Sequence, residues 1–203
     1  IQDAWTQGKE TPRFALMAPT GKAAARMKES IRERDPDYPI QASDEVLNAL
    51  PDESTTIHRA LGYNPRQRTQ FKRNAANPLE VDIVIVDEAS MVDLAMMTKL
   101  FEAVPKHARL ILLGDADQLA SVEAGAILGD LCQELKQGVV ELTHTYRFGK
   151  DSGVGALSRA IKTNRPDDAL MALQQQFTER SNRKMYDELK WIPLNEEAGY
   201  AAL

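Results

Sequence analysis

Two apolar runs that end in polar side chains constrain the fold of this chain more than any other feature. The first run, Val81 to Val86, is rich in valine and isoleucine and leads directly into Asp87 and Glu88. The second run, Arg109 to Leu113, leads into a glycine, two acids and an amide: Gly114, Asp115, Asp117 and Gln118. Ligands of open parallel sheets bind at the carboxyl ends of the strands. The two runs therefore predict a phosphate and metal site at one edge of a parallel sheet.

Strand patterns alternate with helix patterns along the chain. The predicted strands are 14–18, 81–86, 109–113 and 139–142. The predicted helices are 21–34, a short one within 55–62 that a threonine caps, 94–103 with Asp93 as its cap, 123–135 and 154–162. Such alternation predicts right-handed crossovers, a parallel sheet that is covered on both faces, and the α/β class.

Composition limits the class of protein. With 203 residues, of which 43% are hydrophobic, the chain can bury a core. The net charge of -5 argues against a generally adhesive nucleic-acid coat protein, but the charge is uneven. Residues 54–79 contain no acid, and they contain five basic residues: Arg59, Arg66, Arg68, Lys72 and Arg73. This segment is either a solvated loop or a contact for a polyanion.

The single cysteine bears on the compartment. Cys132 has no partner for an internal disulfide, and it falls on the apolar positions of a helical pattern, which predicts a thiol in the core of a protein from a reducing compartment. The sequence has neither a signal-peptide pattern nor an apolar run that could span a bilayer. We expect a cytoplasmic protein.

Four side chains have the chemistry for phosphoryl transfer from a nucleotide. Asp87 follows a strand and could hold Mg²⁺, which usually takes one or two carboxylates and keeps several waters. Glu88 is then the candidate base that positions water. Gln118 could bind the attacking water or the terminal phosphate, and Arg147 could supply positive charge. The alternatives are solvated acids at the start of a loop and a surface arginine.

The usual phosphate cradle is absent from the sequence, which has no Gly-x-x-x-x-Gly-Lys-[Ser/Thr]. The nearest approach is a turn at the start of a helix, which consists of Pro19, Thr20, Gly21 and Lys22. Its backbone N–H groups and its lysine could bind an anion such as a DNA phosphate. The alternative is an ordinary turn and helix cap.

The histidines suggest a nucleic-acid contact rather than a metal site. His58 lies beside Thr56 and Arg59 at the edge of the acid-free segment, where all three could contact a nucleic-acid backbone. Otherwise His58 is a half-buried residue near a helix cap. His107 and His144 have no partners at the spacing of metal ligands, so we predict no zinc site.

Five segments together resemble superfamily 1 DNA helicases, and most closely the RecD family, the alpha subunits of exodeoxyribonuclease V. They are Ala18-Pro19-Thr20-Gly21-Lys22-Ala23-Ala24-Ala25-Arg26, Thr56-Ile57-His58-Arg59, Val86-Asp87-Glu88-Ala89-Ser90-Met91, the run from Gly114 to Gly125, and Tyr146-Arg147-Phe148. The resemblance covers roughly residues 8 to 165. The fold that it implies is the three-layer, RecA-like P-loop NTPase type, truncated so that the P-loop is missing.

The resemblance implies a 5′-to-3′ motor whose two RecA-like domains close on ATP while it moves along single-stranded DNA. It also implies RecB-like and RecC-like partner subunits. By resemblance Asp87 holds Mg²⁺, Glu88 activates water, Gln118 senses the terminal phosphate and Arg147 is the arginine finger. Residues of the DNA path would be Pro19, Thr20, Gly21, Thr56 and His58, with contacts that are independent of base sequence.

We expect a fragment of such a helicase. Residues 1–149 would be the first motor domain without its N-terminal part, and residues 150–203 the start of the second motor domain or a connecting segment. A fragment without the cradle should bind Mg·ATP poorly. Two alternatives stay open: a helicase that works alone or within a relaxase, and a non-catalytic ATPase-like module that binds DNA or protein. A phosphohydrolase would need a nucleophilic aspartate on an early strand, and the strand at 14–18 ends in Ala-Pro-Thr instead.

Overall fold

The computed structural model describes residues 1, 8, 10–32, 43–66, 70–116, 118, 127–135, 137–142 and 152–174. The chain forms two compact units, Ile1–Val139 and Val140–Leu203. The strands of the first unit are β1 Phe14–Ala18, β2 Thr55–Thr56, β3 Ile83–Val86 and β4 Arg109–Leu112. Its helices are α1 Gly21–Arg32, α2 Asp44–Asn48, α3 Ile57–Ala60, α4 Leu94–Ala103 and α5 Ile127–Glu134. The second unit has α6 Gly153–Lys162 and α7 Pro166–Gln174. The division into two motor domains at residue 149 stays a prediction.

The four strands form one parallel sheet in the order β2-β1-β3-β4. Leu16 of β1 is in register with Ile85 of β3, which is in register with Ile111 of β4. Each connection within the sheet carries at least one helix, as parallel pairing requires. The predicted parallel sheet and the α/β class are confirmed.

The main core lies between one face of the sheet and α4. Val84 and Val86 are fully buried and point to the same face, because alternate residues of a strand do so. Met97 and Leu100, three residues apart on α4, are also buried and belong to the same cluster. Burying each such side chain contributes about 1.5–3 kcal/mol. The other side of the sheet has α1, which buries Ala23, Ala24 and Met27.

Capping residues fix where the helices begin. Asp93 caps α4, because its Oδ1 accepts a hydrogen bond from the Met96 N–H at 2.8 Å. The predicted span of α4 is confirmed, as are the short helix that Thr56 caps and α6. The predicted helix 21–34 is confirmed as far as Arg32, and the predicted helix 123–135 from Ile127 to Glu134. The remaining residues of those two predictions lie outside the described part, except Leu135, which follows the last turn of α5.

The predicted strand at 139–142 is wrong. These residues form no strand, and the side chains of Val140 and Leu142 are 82% and 86% exposed. A short apolar run becomes a strand only where a neighbouring strand takes up its hydrogen bonds, and no described strand does so here.

Two short helices and one short strand were missed. The side chain of Ser43 caps α2 by accepting a bond from the Val46 N–H, and α7 begins with Pro166 followed by two acids. Serine as a cap and proline in the first turn are ordinary start signals, so both helices could have been predicted. The two-residue strand β2 gave no strand pattern in the sequence.

The single cysteine lies where the sequence predicts it. Cys132 is half-buried and packs against the main core.

Among the described residues, no helix has the length and apolar character to cross a membrane.

An ion pair holds together the starts of β1 and β3. Asp82 accepts bonds from the Arg13 backbone N–H at 2.8 Å, from Arg13 Nε at 3.2 Å and from Arg13 Nη2 at 3.3 Å. His107 Nε2 lies 3.6 Å from the same carboxylate. The hydrogen bonds from the Arg13 side chain and backbone lower the pKa of Asp82. The pair links residues that are 69 positions apart in the chain.

We predict that Asp82→Asn lowers the thermal midpoint at neutral pH. Because the pKa of Asp82 is lowered by folding, its stabilising effect is complete above the unfolded value of about 3.9 and is lost as the pH falls through the folded value. The difference in midpoint between the two proteins should therefore shrink below about pH 4. Glu102→Gln is the control, because Glu102 pairs only with Lys99 on the same exposed helix turn. A difference that does not change with pH would contradict the prediction.

Candidate functional site

The predicted site residues in the described part of the chain follow the carboxyl ends of the four strands. Ala18 of β1 is in register with Thr56 of β2, and Met17 is in register with Val86 of β3. Val86 is in turn in register with Leu112 of β4. Because all four strands run in the same direction, the segments that follow them lie along a single edge of the sheet.

Asp87 and Glu88 are held at the centre of this edge. The Asp87 N–H donates to the Met17 carbonyl at 2.9 Å, so the pairing with β1 continues past the end of β3. Asp87 Oδ1 accepts a bond from the Glu88 N–H at 2.8 Å. Both side chains are half-buried, and neither forms an ion pair with any described residue. Two half-buried carboxylates without a cation nearby suit a site that binds one.

Glu88 has a left-handed backbone conformation, with φ 54° and ψ 36°. A residue with a Cβ adopts this region at a cost of about 1–2 kcal/mol, and glutamate does so rarely. The conformation starts the 3₁₀ turn Ala89–Met91 directly after β3. Strain of this kind persists where the surrounding packing enforces it, and it is concentrated at functional sites. The sequence contains no signal for it, since only glycine or asparagine marks such a position.

Gly114 allows β4 to approach the turn after Glu88. The Ala89 N–H donates to the Leu113 carbonyl at 2.8 Å, which joins the turn to the end of β4. A Cβ at position 114 would lie 2.8 Å from Leu128 Cδ2 and 3.0 Å from the Ser90 nitrogen. A side chain here would need Leu128 to move and the backbone at Ala89 and Ser90 to shift by a few tenths of an ångström, which favours glycine. Gly114 belongs to the polar pattern that follows β4 in the sequence, but that pattern does not reveal the close approach of the turn after Glu88.

Two buried hydroxyl groups at this edge have no hydrogen-bond partner in the described part of the chain. They are Ser90 Oγ, two residues after Glu88, and Thr55 Oγ1, beside Thr56. A buried polar atom without a partner costs about 1–3 kcal/mol. Neither residue was predicted as a site residue, although Ser90 lies within the pattern that begins at Val86.

The turn after β1 combines a helix cap with exposed groups. Thr20 Oγ1 accepts a bond from the Ala23 N–H at 3.2 Å, and the Thr20 carbonyl accepts one from the Ala24 N–H at 3.0 Å. Pro19 is half-buried, whereas Gly21 and Lys22 are exposed in the first turn of α1. The first N–H groups of a helix carry partial positive charge, so they and Lys22 can bind an anion together.

The turn after β2 is also a helix cap. Thr56 Oγ1 accepts a bond from the Arg59 N–H at 3.3 Å and thereby starts α3. His58 and Arg59 are exposed on this helix. The structure thus brings Thr56, His58 and Arg59 to the same edge as Thr20, through the pairing of β1 with β2.

Gln118 and Arg147 are less completely defined. Gln118 is exposed in the turn after β4, where its N–H donates to the Asp115 carbonyl at 3.3 Å. Arg147 lies outside the described residues, as does the whole segment 119–126. The roles predicted for both residues stay predictions.

The carboxylates fit a magnesium ion better than a metal that the protein encloses. No group of three or more His, Cys, Asp or Glu side chains in the described part of the chain could hold a metal by itself. Magnesium needs only one or two carboxylates when waters and phosphate oxygens complete its shell. Asp87 fits this role through its half-buried carboxylate at the strand end.

Comparison with known proteins agrees with this arrangement. The model of the AAA domain family matches residues 1–179. The chain belongs to this family. It is 47% identical over 177 residues to the RecBCD enzyme subunit RecD of Mycolicibacterium smegmatis, a match that covers 85% of the chain and 30% of that relative. It is 40% identical over 187 residues to the RecD subunit of Haemophilus influenzae, covering 76% of the chain and 29% of the relative.

A third relative, which is named as a helicase, matches a shorter part of the chain. The chain is 39% identical over 132 residues to the ATP-dependent RecD2 DNA helicase of Deinococcus radiodurans, a match that covers 65% of the chain and 15% of that protein. The resemblance to RecD that the motifs indicated is confirmed by these matches. The chain spans about 30% of the length of the RecD subunits that it matches.

We predict that Glu88→Gly stabilises the fold relative to Glu88→Ala. Glycine adopts a left-handed conformation without a steric cost, whereas alanine keeps the strain, so the free energies of unfolding should differ by about 1 kcal/mol. Asn164, with φ 51°, is a matched control position in the other unit. Asparagine tolerates this region. The free energy of unfolding that Asn164→Gly gains over the unchanged chain should therefore be smaller than the difference between Glu88→Gly and Glu88→Ala. Denaturant unfolding of the three variants and the unchanged chain measures both differences, and equal stability of the two Glu88 variants would contradict the left-handed conformation of Glu88.

Proposed function

We propose that this chain is part of an ATP-dependent 5′-to-3′ DNA helicase subunit of the RecD type. In this proposal it acts with RecB-like and RecC-like subunits, as exodeoxyribonuclease V, in the repair and recombination of double-strand breaks. The observation that carries the proposal is the alignment of four strand ends along one edge of the sheet, where the Asp87 N–H is bonded to Met17 shortly before the turn at Thr20. Relatives at 40–47% identity that are named RecBCD enzyme subunit RecD support the same assignment.

The nucleotide half of the proposal rests on the segments after β3 and β4. When bound, Mg²⁺ and ATP supply the phosphoryl group and the cation that neutralises its developing charge. Asp87 would hold the cation at its carboxylate. Glu88 would orient the attacking water and accept its proton at a carboxylate oxygen. Gln118 would contact the terminal phosphate, and Arg147 would supply positive charge in the transition state.

The DNA half of the proposal rests on the segments after β1 and β2. Pro19, Thr20, Gly21 and Lys22 form the start of a 12-residue helix whose first N–H groups can receive a phosphate. Thr56, His58 and Arg59 follow the neighbouring strand, in register with the first segment. Contacts of this kind bind the backbone of single-stranded DNA, whatever the base sequence, and they weaken with salt.

Two alternatives to this proposal are a helicase that works alone and a non-catalytic module. A helicase that works alone would have no RecB-like and RecC-like partners, and copurification of such subunits with the protein distinguishes the two cases. A non-catalytic module would have no need for a strained Glu88 next to an Asp87 that forms no ion pair with a described residue. The lack of a Gly-x-x-x-x-Gly-Lys-[Ser/Thr] cradle in these 203 residues also means that this chain alone should bind Mg·ATP poorly.

We predict that Glu88→Gln abolishes most ATP hydrolysis in a full-length helicase subunit that contains this chain. Loss of a positioned general base costs about 10²- to 10⁴-fold in rate. The measurement is hydrolysis that is stimulated by single-stranded DNA, together with the affinity for that DNA, which should stay within about twofold. Glu134→Gln, the same change at an exposed glutamate of α5, is the control. A stimulated rate that Glu88→Gln leaves unchanged would favour the non-catalytic module.

We predict that Lys22→Ala combined with Arg59→Ala reduces the salt dependence of single-strand binding. Each phosphate contact contributes about 0.7 to the slope of log K against log[salt], so losing two should reduce the slope by about 1.4. Lys28→Ala is the matched control, because Lys28 is exposed on the same helix as Lys22 but lies more than a turn beyond its start. Titration of a fluorescent oligonucleotide at several salt concentrations gives the slopes, and an equal effect of Lys28→Ala would argue against this DNA path.

A further inference from the structure

A cleft with a volume of about 360 Å³ opens between the segment that follows α3 and the start of α4. Its lining includes three aromatic rings, two charged groups and one methionine: His58, Tyr63, Phe71, Asp93, Lys99 and Met96. The volume lies at the lower end of the range for small-ligand sites, which is about 300–1,000 Å³. Only His58 among these residues has a part in the function proposed above.

A glycine turn brings the rings together. Gly62 has φ 70°, and the N–H groups of Gly62 and Tyr63 donate to the carbonyls of Arg59 and His58 at 3.0 and 2.9 Å. This arrangement ends α3 and reverses the chain, as a left-handed glycine after a helix does. Tyr63 then pairs with Phe71 in an antiparallel bridge, which puts their side chains next to each other.

The rings are arranged so that a flat group can rest against them. The ring centres of His58 and Tyr63 are 5.2 Å apart with the planes at 86°. Those of Tyr63 and Phe71 are 5.6 Å apart at 43°, and those of His58 and Phe71 are 6.3 Å apart at 45°. No two of these rings are stacked in parallel on each other. A planar ligand can therefore stack on one of them without separating an existing stack.

The charges around the cleft fit a nucleic acid whose phosphates stay outside. Arg59, Arg66 and Lys72 are exposed on the acid-free segment and form no ion pair with a described residue. On the opposite wall Asp93 caps α4 and Lys99 Nζ binds Glu102 Oε2 at 2.8 Å. A carboxylate in the wall repels a phosphate but accepts a hydrogen bond from a ring or amino N–H. The cleft thus suits a base, and the exposed basic residues that neighbour its aromatic lining in the sequence suit the phosphates outside it.

We propose that this cleft binds a nucleobase of single-stranded DNA by stacking on Tyr63 or Phe71. The proposal rests on the DNA path proposed above and extends it from phosphate contacts to a base contact. Stacking on an aromatic ring accepts any base, because every base has a π-face. The cleft would therefore hold the strand at one nucleotide without selecting its sequence.

An oligonucleotide without bases separates stacking from phosphate contacts. We expect Tyr63→Leu to weaken binding of the chain to an oligothymidylate by about 5- to 100-fold, in line with the effect of losing one stacked base. Binding to an abasic oligonucleotide of the same length and charge should not change, because it has no base to stack. Arg59→Ala is the matched control, and it should weaken binding to both oligonucleotides by the same factor.

The outcomes distinguish the two proposals. An equal loss on both oligonucleotides with Tyr63→Leu would overturn the base-binding cleft while leaving the DNA path in place. If the unchanged chain binds neither oligonucleotide, the proposed DNA path is wrong, and so is the proposal that the cleft binds a base.

Photochemical crosslinking tests the proposal on the unchanged chain, so it does not require any variant to fold. An oligonucleotide that contains 5-iododeoxyuridine crosslinks on irradiation to an aromatic side chain that is stacked on the modified base. Mass spectrometry of the unchanged chain should find the adduct on Tyr63 or Phe71. Adducts at other residues only would contradict the proposal.

Discussion

The parallel pairing of β3 with its two neighbours is the constraint on which the site depends. Backbone hydrogen bonds continue this pairing beyond the strands themselves, from the Asp87 N–H to Met17 and from the Leu113 N–H to Val86. Segments that are about a hundred residues apart in the chain, from Pro19 to Gln118, thereby follow the same edge of one sheet. In a parallel sheet the register of one strand fixes the position of every segment that follows its neighbours.

Packing behind this edge explains why the turn at Glu88 keeps an unfavourable conformation. The Ala89 N–H is held by the Leu113 carbonyl, Ala89 itself is fully buried, and Gly114 lets β4 lie close to the turn. The core therefore sustains a strain of about 1–2 kcal/mol at the position where we propose that water is oriented.

The segment after β2 shows how a short sequence can serve two purposes. Thr56 and Gly62 define the start and the end of α3, and this helix presents Arg59 to solvent on the basic segment. The same chain reversal places His58 beside Tyr63, so that a phosphate contact and a ring contact would follow each other along one strand of DNA.

The sequence by itself determined the α/β class, three of the four strands, the cap and span of α4, and the position of Asp87 and Glu88 at a strand end, because local periodicity and capping are written in neighbouring residues. It wrongly predicted a strand at 139–142 and missed β2, whose existence depends on pairing with β1. Only the tertiary structure decided the left-handed Glu88, the close contact at Gly114 and the ring cluster of the cleft. The first two arise from contacts between segments that are distant in the chain, and the ring cluster arises from the turn at Gly62 and the bridge between Tyr63 and Phe71.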